Sequence, residues 1–308
     1  MDELDRRLII ELQKDPRQSS KHLAKSVGVV EYTVRRRIEN LVSSGAVILT
    51  ALPNLKMLGY PIRVYMLLEV EHSKFDEIGK QICQISRLGF VSHCIGFTKY
   101  YVRGDFNSIE SLIGFTRDEI GKIEGINYIE TMIECQGLKN IYFRNRISHL
   151  MKPVALQFEN IGINNLDRRL ITQLQQNARM PLKELAQTVG VSQMTIHRHI
   201  KDLIGCRTIE FTAIVNIEEF GYPIVAYARM QIKPPKISEV AEYLSQSPQV
   251  HYVGIISGAT QLLIGIYGLS PQIISDFVTS KLNKIDGVVK IESFSFLDIM
   301  KQNFTWLT

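Results

Sequence analysis

The chain of 308 residues carries 22% charged and 45% apolar side chains, with 20 glycines and 10 prolines, which excludes collagen-like, low-complexity and intrinsically disordered proteins. At about 100–200 residues per domain the length implies two or more folded units, and a formal net charge of +5 is compatible with a nucleic-acid partner without requiring one. Cys83, Cys94, Cys135 and Cys206 form no C-x-x-C pair, no run approaches the ~18 apolar residues of a membrane span, and the charged opening Met-Asp-Glu-Leu-Asp-Arg-Arg is unlike a signal peptide. A cytoplasmic chain with reduced thiols, no metal site and no membrane partner is therefore the expectation.

The first fifty residues read as helices. Leu4, Leu8 and Leu12 recur at i, i+4, i+8, followed by Leu23, Ala24 and Val27, then by Val34, Ile38 and Leu41, with breaks at Asp15-Pro16-Arg17 and Gly28. From Pro61 the texture changes to strand, helix, strand, strand, helix, strand. The β-rich run Ile62–Val70 precedes a helical stretch Lys74–Ser86, the strands Phe90–Phe97 and Tyr100–Phe106, a helical Ser108–Ile123 and an alternating Tyr128–Cys135. This βαββαβ order places helices on one sheet face and leaves the other needing cover, which a partner sheet would supply.

After a mixed-polarity connector the pattern starts again. Leu4-Asp5-Arg6-Arg7-Leu8-Ile9 returns as Leu166-Asp167-Arg168-Arg169-Leu170-Ile171, and Gly59-Tyr60-Pro61-Ile62 as Gly221-Tyr222-Pro223-Ile224, both at an offset of 162. Without a gap, 41 of 146 paired positions are identical, so the chain is a duplication and fusion. The second copy is expected to repeat the helical stripes over Leu166–Leu203. Its later elements are expected at Ile224–Ile232, Ile237–Ser245, Val250–Ile256, Gln261–Tyr267, Gln272–Ile285 and Val288–Phe296. The expected divisions are a helix-turn-helix domain at 1–50, a βαββαβ domain at 51–140, a linker at 141–162, a second helix-turn-helix domain at 163–212 and a second βαββαβ domain at 213–308.

In Leu23-Ala24-x-x-Val27-Gly28-Val29 the small alanine lets two helices approach and the glycine permits a left-handed turn between them. The third helix then offers its outer face to a major groove. With Val34, Ile38 and Leu41 inward, Tyr32, Arg36 and Asn40 point outward, Thr33 and Glu39 lie beside them, and Arg35 and Arg37 project laterally toward phosphates. The second copy presents Met194, Arg198 and Asp202 outward, with Gln193, Thr195, His197 and His199 around them. Ser192 can cap its recognition helix where the first copy has Val30. Histidines in place of Arg35 and Arg37 lead to an expectation of weaker, more pH-sensitive phosphate contact by the second head.

These residues resemble the Lrp/AsnC (feast/famine) family of transcription regulators, twice over. The resemblance is carried by Leu4–Ile9, by Leu23-Ala24 with Val27-Gly28-Val29, by Thr33-Val34-Arg35-Arg36-Arg37-Ile38, by Gly45-Ala46-Val47-Ile48 and by Leu58-Gly59-Tyr60. It implies an α+β chain of two tandem repeats, each a winged-helix-type helix-turn-helix head followed by a βαββαβ ferredoxin-like effector domain. It further implies a double-stranded DNA partner, a small-molecule effector and an intramolecular pseudo-dimer whose two sheets cover one another. Further homo-oligomerisation follows as well. The family's Gly-x-x-Asp effector turn stands here as Gly96-Phe97-Thr98-Lys99 and Gly258-Ala259-Thr260-Gln261. The effector candidates are therefore Gly96, Thr98, Lys99, Gly258, Thr260 and Gln261. Neither turn has the carboxylate that an amino-acid ammonium would want, and Lys99 suits an anion. Arg207-Thr208-Ile209-Glu210 replaces the glycine-led end of the first head, which leaves the exit of the second head open.

The sirohaem decarboxylases share this two-part architecture, and Val91-Ser92-His93 resembles their Val-Ser/Thr-His step. Their following Asn-Tyr, second histidine and Tyr-Asn-x-Trp stretch are missing, and Ile255 stands opposite His93. No other catalytic constellation is present in the sequence and no motif asks for a cofactor. A DNA-binding regulator is the leading expectation, with a decarboxylase or a ligand-sensing partner without DNA affinity as alternatives.

Overall fold

The structure is a computed structural model that describes residues 1–140, 163–216 and 221–302. The first repeat runs α1 (Glu3–Lys14), α2 (Ser20–Val27), α3 (Glu31–Ser43), β1 (Val47–Pro53), β2 (Ile62–Val70), α4 (Phe75–Gln84), β3 (Leu88–Gly96), β4 (Tyr100–Phe106), α5 (Ile109–Gly114) and β5 (Ile126–Asn140). The second runs α6 (Asn165–Gln176), α7 (Leu182–Val189), α8 (Gln193–Gly205), β6 (Ile209–Val215) and β7 (Ile224–Ile232). It continues through α9 (Ile237–Ser245), β8 (Val250–Ile256), β9 (Leu262–Gly268), α10 (Pro271–Asp276) and β10 (Val288–Gln302). The expected linker 141–162 lies outside the described residues, as do 303–308 of the second effector stretch.

Two compact units divide the chain, and neither follows a single repeat. Residues 1–58 and 163–216 form one, and residues 59–140 and 222–302 form the other. In the first unit each head begins with a reciprocal cap. Asp2 accepts from the Asp5 N–H while Asp5 accepts from the Asp2 N–H, and Asn164 with Asp167 repeats the arrangement. Two of the free N–H donors at each helix start are thereby satisfied. Gly28 and Gly190 close α2 and α7 at φ 75° and 78°, a left-handed geometry that only glycine adopts without strain.

The strand after each third helix pairs with its counterpart from the other copy. β1 and β6 run antiparallel from Val47↔Val215 to Pro53↔Ile209. α1 packs on β6 and α6 on β1, so Leu8, Leu12, Leu23, Val34 and Ala51 share one core with Leu170, Leu174, Leu185, Ile196 and Ala213. The exit of the second head keeps its shape without the glycine: Arg207 takes φ 55° where Gly45 has 75°, and β6 forms as β1 does.

In the second unit eight strands close into one barrel of order β10-β3-β4-β2-β5-β8-β9-β7. β2, β4, β7, α9 and β8 occupy their expected bounds. The helical stretches expected at 108–123 and 272–285 each break after one and a half turns, widening into π turns at Phe115–Glu119 and Phe277–Lys281 and tightening at Ile120–Lys122 and Leu282–Lys284. β5 and β10 run beyond their expected ends, to Asn140 and Gln302. Their added residues cross to the other copy: β5 pairs with β8 and β10 with β3. The two sheets thus cover one another's inner faces by also joining at both edges, which leaves no open edge. Lys139 donates to the Ser247 carbonyl at 2.7 Å and Lys301, its repeat equivalent, to the Ile85 carbonyl at 2.6 Å.

Even-numbered residues of β2 such as Val64, Met66 and Leu68 meet α4 through Ile78 and Ile82. The other face of the strand looks inward, the period-two consequence of the pleat. The interior is aromatic. Tyr65 stacks on Tyr101 at 5.8 Å, Tyr227 on Phe296 at 5.1 Å, and Glu134 accepts from the hydroxyls of both Tyr65 and Tyr252 at 2.5 and 2.6 Å. That last contact ties the first copy to the second.

Candidate nucleic-acid interface

Three short helices on a common core leave one face of α3 and of α8 in solvent. Val34, Ile38 and Leu41 are buried, as are Ile196, Ile200 and Leu203. At 100° per residue the opposite side holds Tyr32, Arg36 and Asn40 on α3 and Met194, Arg198 and Asp202 on α8, all exposed. Tyr32 and Met194 are 72% and 82% exposed, unusually open for large side chains with so much apolar surface to bury. Arg36 and Arg198 have no ion-pair partner among the described residues.

The lateral residues behave differently from the outward ones. Arg37 bonds Asp2 at 2.6 Å and Asp5 at 3.0 Å, which raises its pKa through those bonds. His199 occupies the equivalent position and bonds Asp167 at 2.6 Å. Both therefore fix the third helix to the start of the first, and neither is free to reach a phosphate as expected for Arg37. Arg35 pairs with Glu31 one turn earlier at 2.5 Å. The matching residues in α8 are His197 and Gln193, both exposed. Thr33 and Thr195 lie in the first turn at intermediate exposure.

Ser192 accepts from the Thr195 N–H at 3.1 Å and lies 2.9 Å from the Thr195 hydroxyl. Val30 leaves α3 without a side-chain cap. His197 also lines a cleft of about 860 Å³ with Glu11, Asp15 and His22 of the first head.

Two groups escaped sequence reasoning. Arg17 crosses to the other head and donates to the carbonyls of Ala178 at 2.7 Å and Met180 at 3.4 Å, while Arg179, its repeat equivalent, donates to the Gln18 carbonyl at 3.0 Å. Arg17 also lies over the Phe211 ring of β6 at 5.1 Å. The available signal was the retention of this arginine in both copies while its neighbours changed from Pro16 and Gln18 to Ala178 and Met180.

The effector candidates sit at the β3–β4 and β8–β9 turns. Gly96 takes φ 136°, a conformation that side chains rarely adopt, and a Cβ there would stand a tight 3.0 Å from the Phe294 Cβ. Thr98 is buried, with its hydroxyl at 3.2 and 3.1 Å from the carbonyls of Leu68 and Tyr100. Gln261 accepts from the Ile232 N–H through its side-chain oxygen at 2.9 Å. Thr260 is buried, while Gly258 and Lys99 are exposed. His93 is half-buried against Phe75 at 4.3 Å, and that burial lowers its pKa. Burial pushes the Cys94 thiol up to about 12, which leaves it unreactive. Among the described residues no group of three His, Cys, Asp or Glu side chains could hold a metal ion, and no helix is long and apolar enough to cross a membrane.

The AsnC-type helix-turn-helix domain family matches residues 1–42 and 163–204, and the PF0864 C-terminal dimeric alpha+beta barrel domain family matches residues 231–308. The HTH-type transcriptional regulator FL11 of Pyrococcus furiosus is 30% identical over 141 residues, covering 46% of this chain and 93% of that protein. An uncharacterized HTH-type transcriptional regulator of Pyrococcus horikoshii, PH0140, is 27% identical over 145 residues, covering 47% of this chain and 92% of its own length. Each relative therefore has about the length of one repeat. Among solved structures, the siroheme decarboxylase NirDL aligns over 99% of this chain and 94% of its own with a TM-score of 0.71 at 13% identity. That is a likeness of fold alone.

Proposed function

The chain belongs to the Lrp/AsnC family of helix-turn-helix transcription regulators, and on that premise we propose that it grips double-stranded DNA as a covalent pseudo-dimer, with α3 and α8 as its two readers. The observation that carries this reading is the pair of exposed, uncommitted arginines, Arg36 and Arg198, each centred on the outer face of a third helix. A guanidinium there can bond guanine O6 and N7 together. Tyr32, Thr33, Asn40, Gln193, Met194 and Thr195 flank those arginines at the same surface. Arg35, Ser192 and His197 act at its edge, with Arg37 a positioning residue for α3. The chain is a binding protein and its site of action is the cytoplasm, with the DNA.

The barrel is the effector module in this reading. Thr98 and Gln261 are engaged with the backbone of neighbouring strands, so exposed Lys99 is the group left to meet a small anionic effector at these turns. Gly96, Gly258 and Thr260 shape the turns. Further association between copies of the chain is part of the same proposal.

The test is genome-wide mapping of occupied sites, followed by measurement on the best site with wild type and an Arg36→Ala, Arg198→Ala variant. Discrete sites whose affinity falls steeply with salt, and whose preference over random duplex collapses in the variant, support the reading. The decarboxylase alternative shares this fold and rests on the Val91-Ser92-His93 step. It would gain if the purified chain carried a porphyrin absorption band and bound no DNA.

A further inference from the structure

The two readers are built on one frame and carry different chemistry. The frame is held three ways: by the seven-residue β1–β6 ladder, by the common core, and by Arg17 and Arg179 clasping the opposite head's backbone. Three connections of this kind leave the heads a single relative placement. On that frame Thr33 and Thr195 match, as do Arg36 and Arg198, whereas the remaining outward positions differ. Tyr32 faces solvent where the second head has Met194, Asn40 where it has Asp202, and Glu39 where it has Lys201.

A homodimer presents the same reader twice and therefore matches a palindrome. We infer that this chain, whose two readers share one arginine and differ around it, recognises a directional, non-palindromic operator with a single spacing between its halves. The inference rests on the DNA-binding reading above. Each half holds a guanine facing Arg36 or Arg198. Beside it the carboxamide of Asn40 suits adenine N6 and N7, while the carboxylate of Asp202 accepts only, as from cytosine N4. Met194 offers an apolar surface to a thymine methyl group, and the Tyr32 hydroxyl adds a donor that methionine lacks. One chain thus selects not only a site but an orientation on it.

The experiment is selection of the intact chain on a pool of fully randomised DNA duplexes, repeated with two full-length variants. In the first, Glu31→Gln, Tyr32→Met, Arg35→His, Glu39→Lys and Asn40→Asp give α3 the outward face of α8. In the second, the reciprocal changes Gln193→Glu, Met194→Tyr, His197→Arg, Lys201→Glu and Asp202→Asn give α8 the face of α3. All of these positions lie on the solvent side, and thermal melting confirms that each variant folds. The wild type should enrich an asymmetric motif at one spacing, and each variant should enrich an inverted repeat of one wild-type half-site at that same spacing. Affinity of either variant for the wild-type operator should drop by about 10- to 100-fold, the effect of one or two mismatched base pairs. An inverted repeat from the wild type, a spread of spacings, or variants that keep the wild-type motif would each overturn the inference while leaving DNA binding intact. No enriched duplex at all would overturn both.

Discussion

Arg36 and Arg37 are adjacent on α3, yet one stands in solvent and the other on the carboxylates of Asp2 and Asp5. Replacing Arg36 with alanine should leave the melting temperature unchanged and relax base preference. Replacing Arg37 should lower the melting temperature and weaken binding evenly across sequences, because α3 loses its tether to α1. Melting curves and competition with mutated operators read the two effects separately. His251 is the residue-scale device of the other unit. It is buried in the barrel, stacked on Tyr267 at 4.0 Å, and burial pushes its pKa down to about 3. Below pH 6.5 the unfolded chain takes up a proton at this histidine that the folded chain refuses until near pH 3. Stability therefore falls as pH drops through that window, by at most about 1.4 kcal/mol per unit from this one group. His251→Phe keeps a ring in place and should flatten the fall in melting temperature between pH 6.5 and 5. A variant with the wild-type slope would show that the imidazole takes up its proton in the folded state.

At the scale of elements, α1 to α3 and the second-unit strands were legible because their apolar stripes are local patterns, whichever copy they bury against. β2, β4, β7 and β8 begin and end at their expected residues. The far ends of β5 and β10 were not legible, since those residues pair with the other copy and no local pattern announces a partner more than a hundred residues away. The same holds for β1 against β6. Among the candidate site residues, the outward positions followed from helical periodicity alone, whereas the engagement of Arg37, His199 and Arg35 depended on which carboxylate lay within reach. The Arg17 and Arg179 clasps connect elements of different repeats, and they set the heads' spacing in this account. Arg17→Ala together with Arg179→Ala should loosen the β1–β6 seam. Hydrogen exchange should speed up at β1 and β6 amides, and operators lengthened or shortened by one base pair should regain affinity relative to the parent site. Unchanged protection and unchanged spacing preference would assign the placement of the heads to the strand ladder and core alone.

For the whole molecule, duplication reaches further than two copies in a row. Each compact unit is made of half of each repeat: one core contains both heads, and one barrel closes on strands from both copies. Neither repeat can complete its sheet or its head without the other, so the pairing that a dimer would achieve by association is built into the chain and does not depend on concentration. Fusion also frees the two readers to diverge, as Asn40 and Asp202 have done. The central claim is that both heads engage one DNA site through Arg36 and Arg198. Its most direct test is a salt titration of affinity for the mapped operator and for random duplex, comparing wild type with the Arg36→Ala, Arg198→Ala variant and with each single variant. The expected result is a steep fall in wild-type affinity with salt, an operator preference of about a thousandfold or more, a partial loss of that preference in each single variant and its collapse in the double. A preference that survives the double variant, or an affinity indifferent to salt, would contradict it.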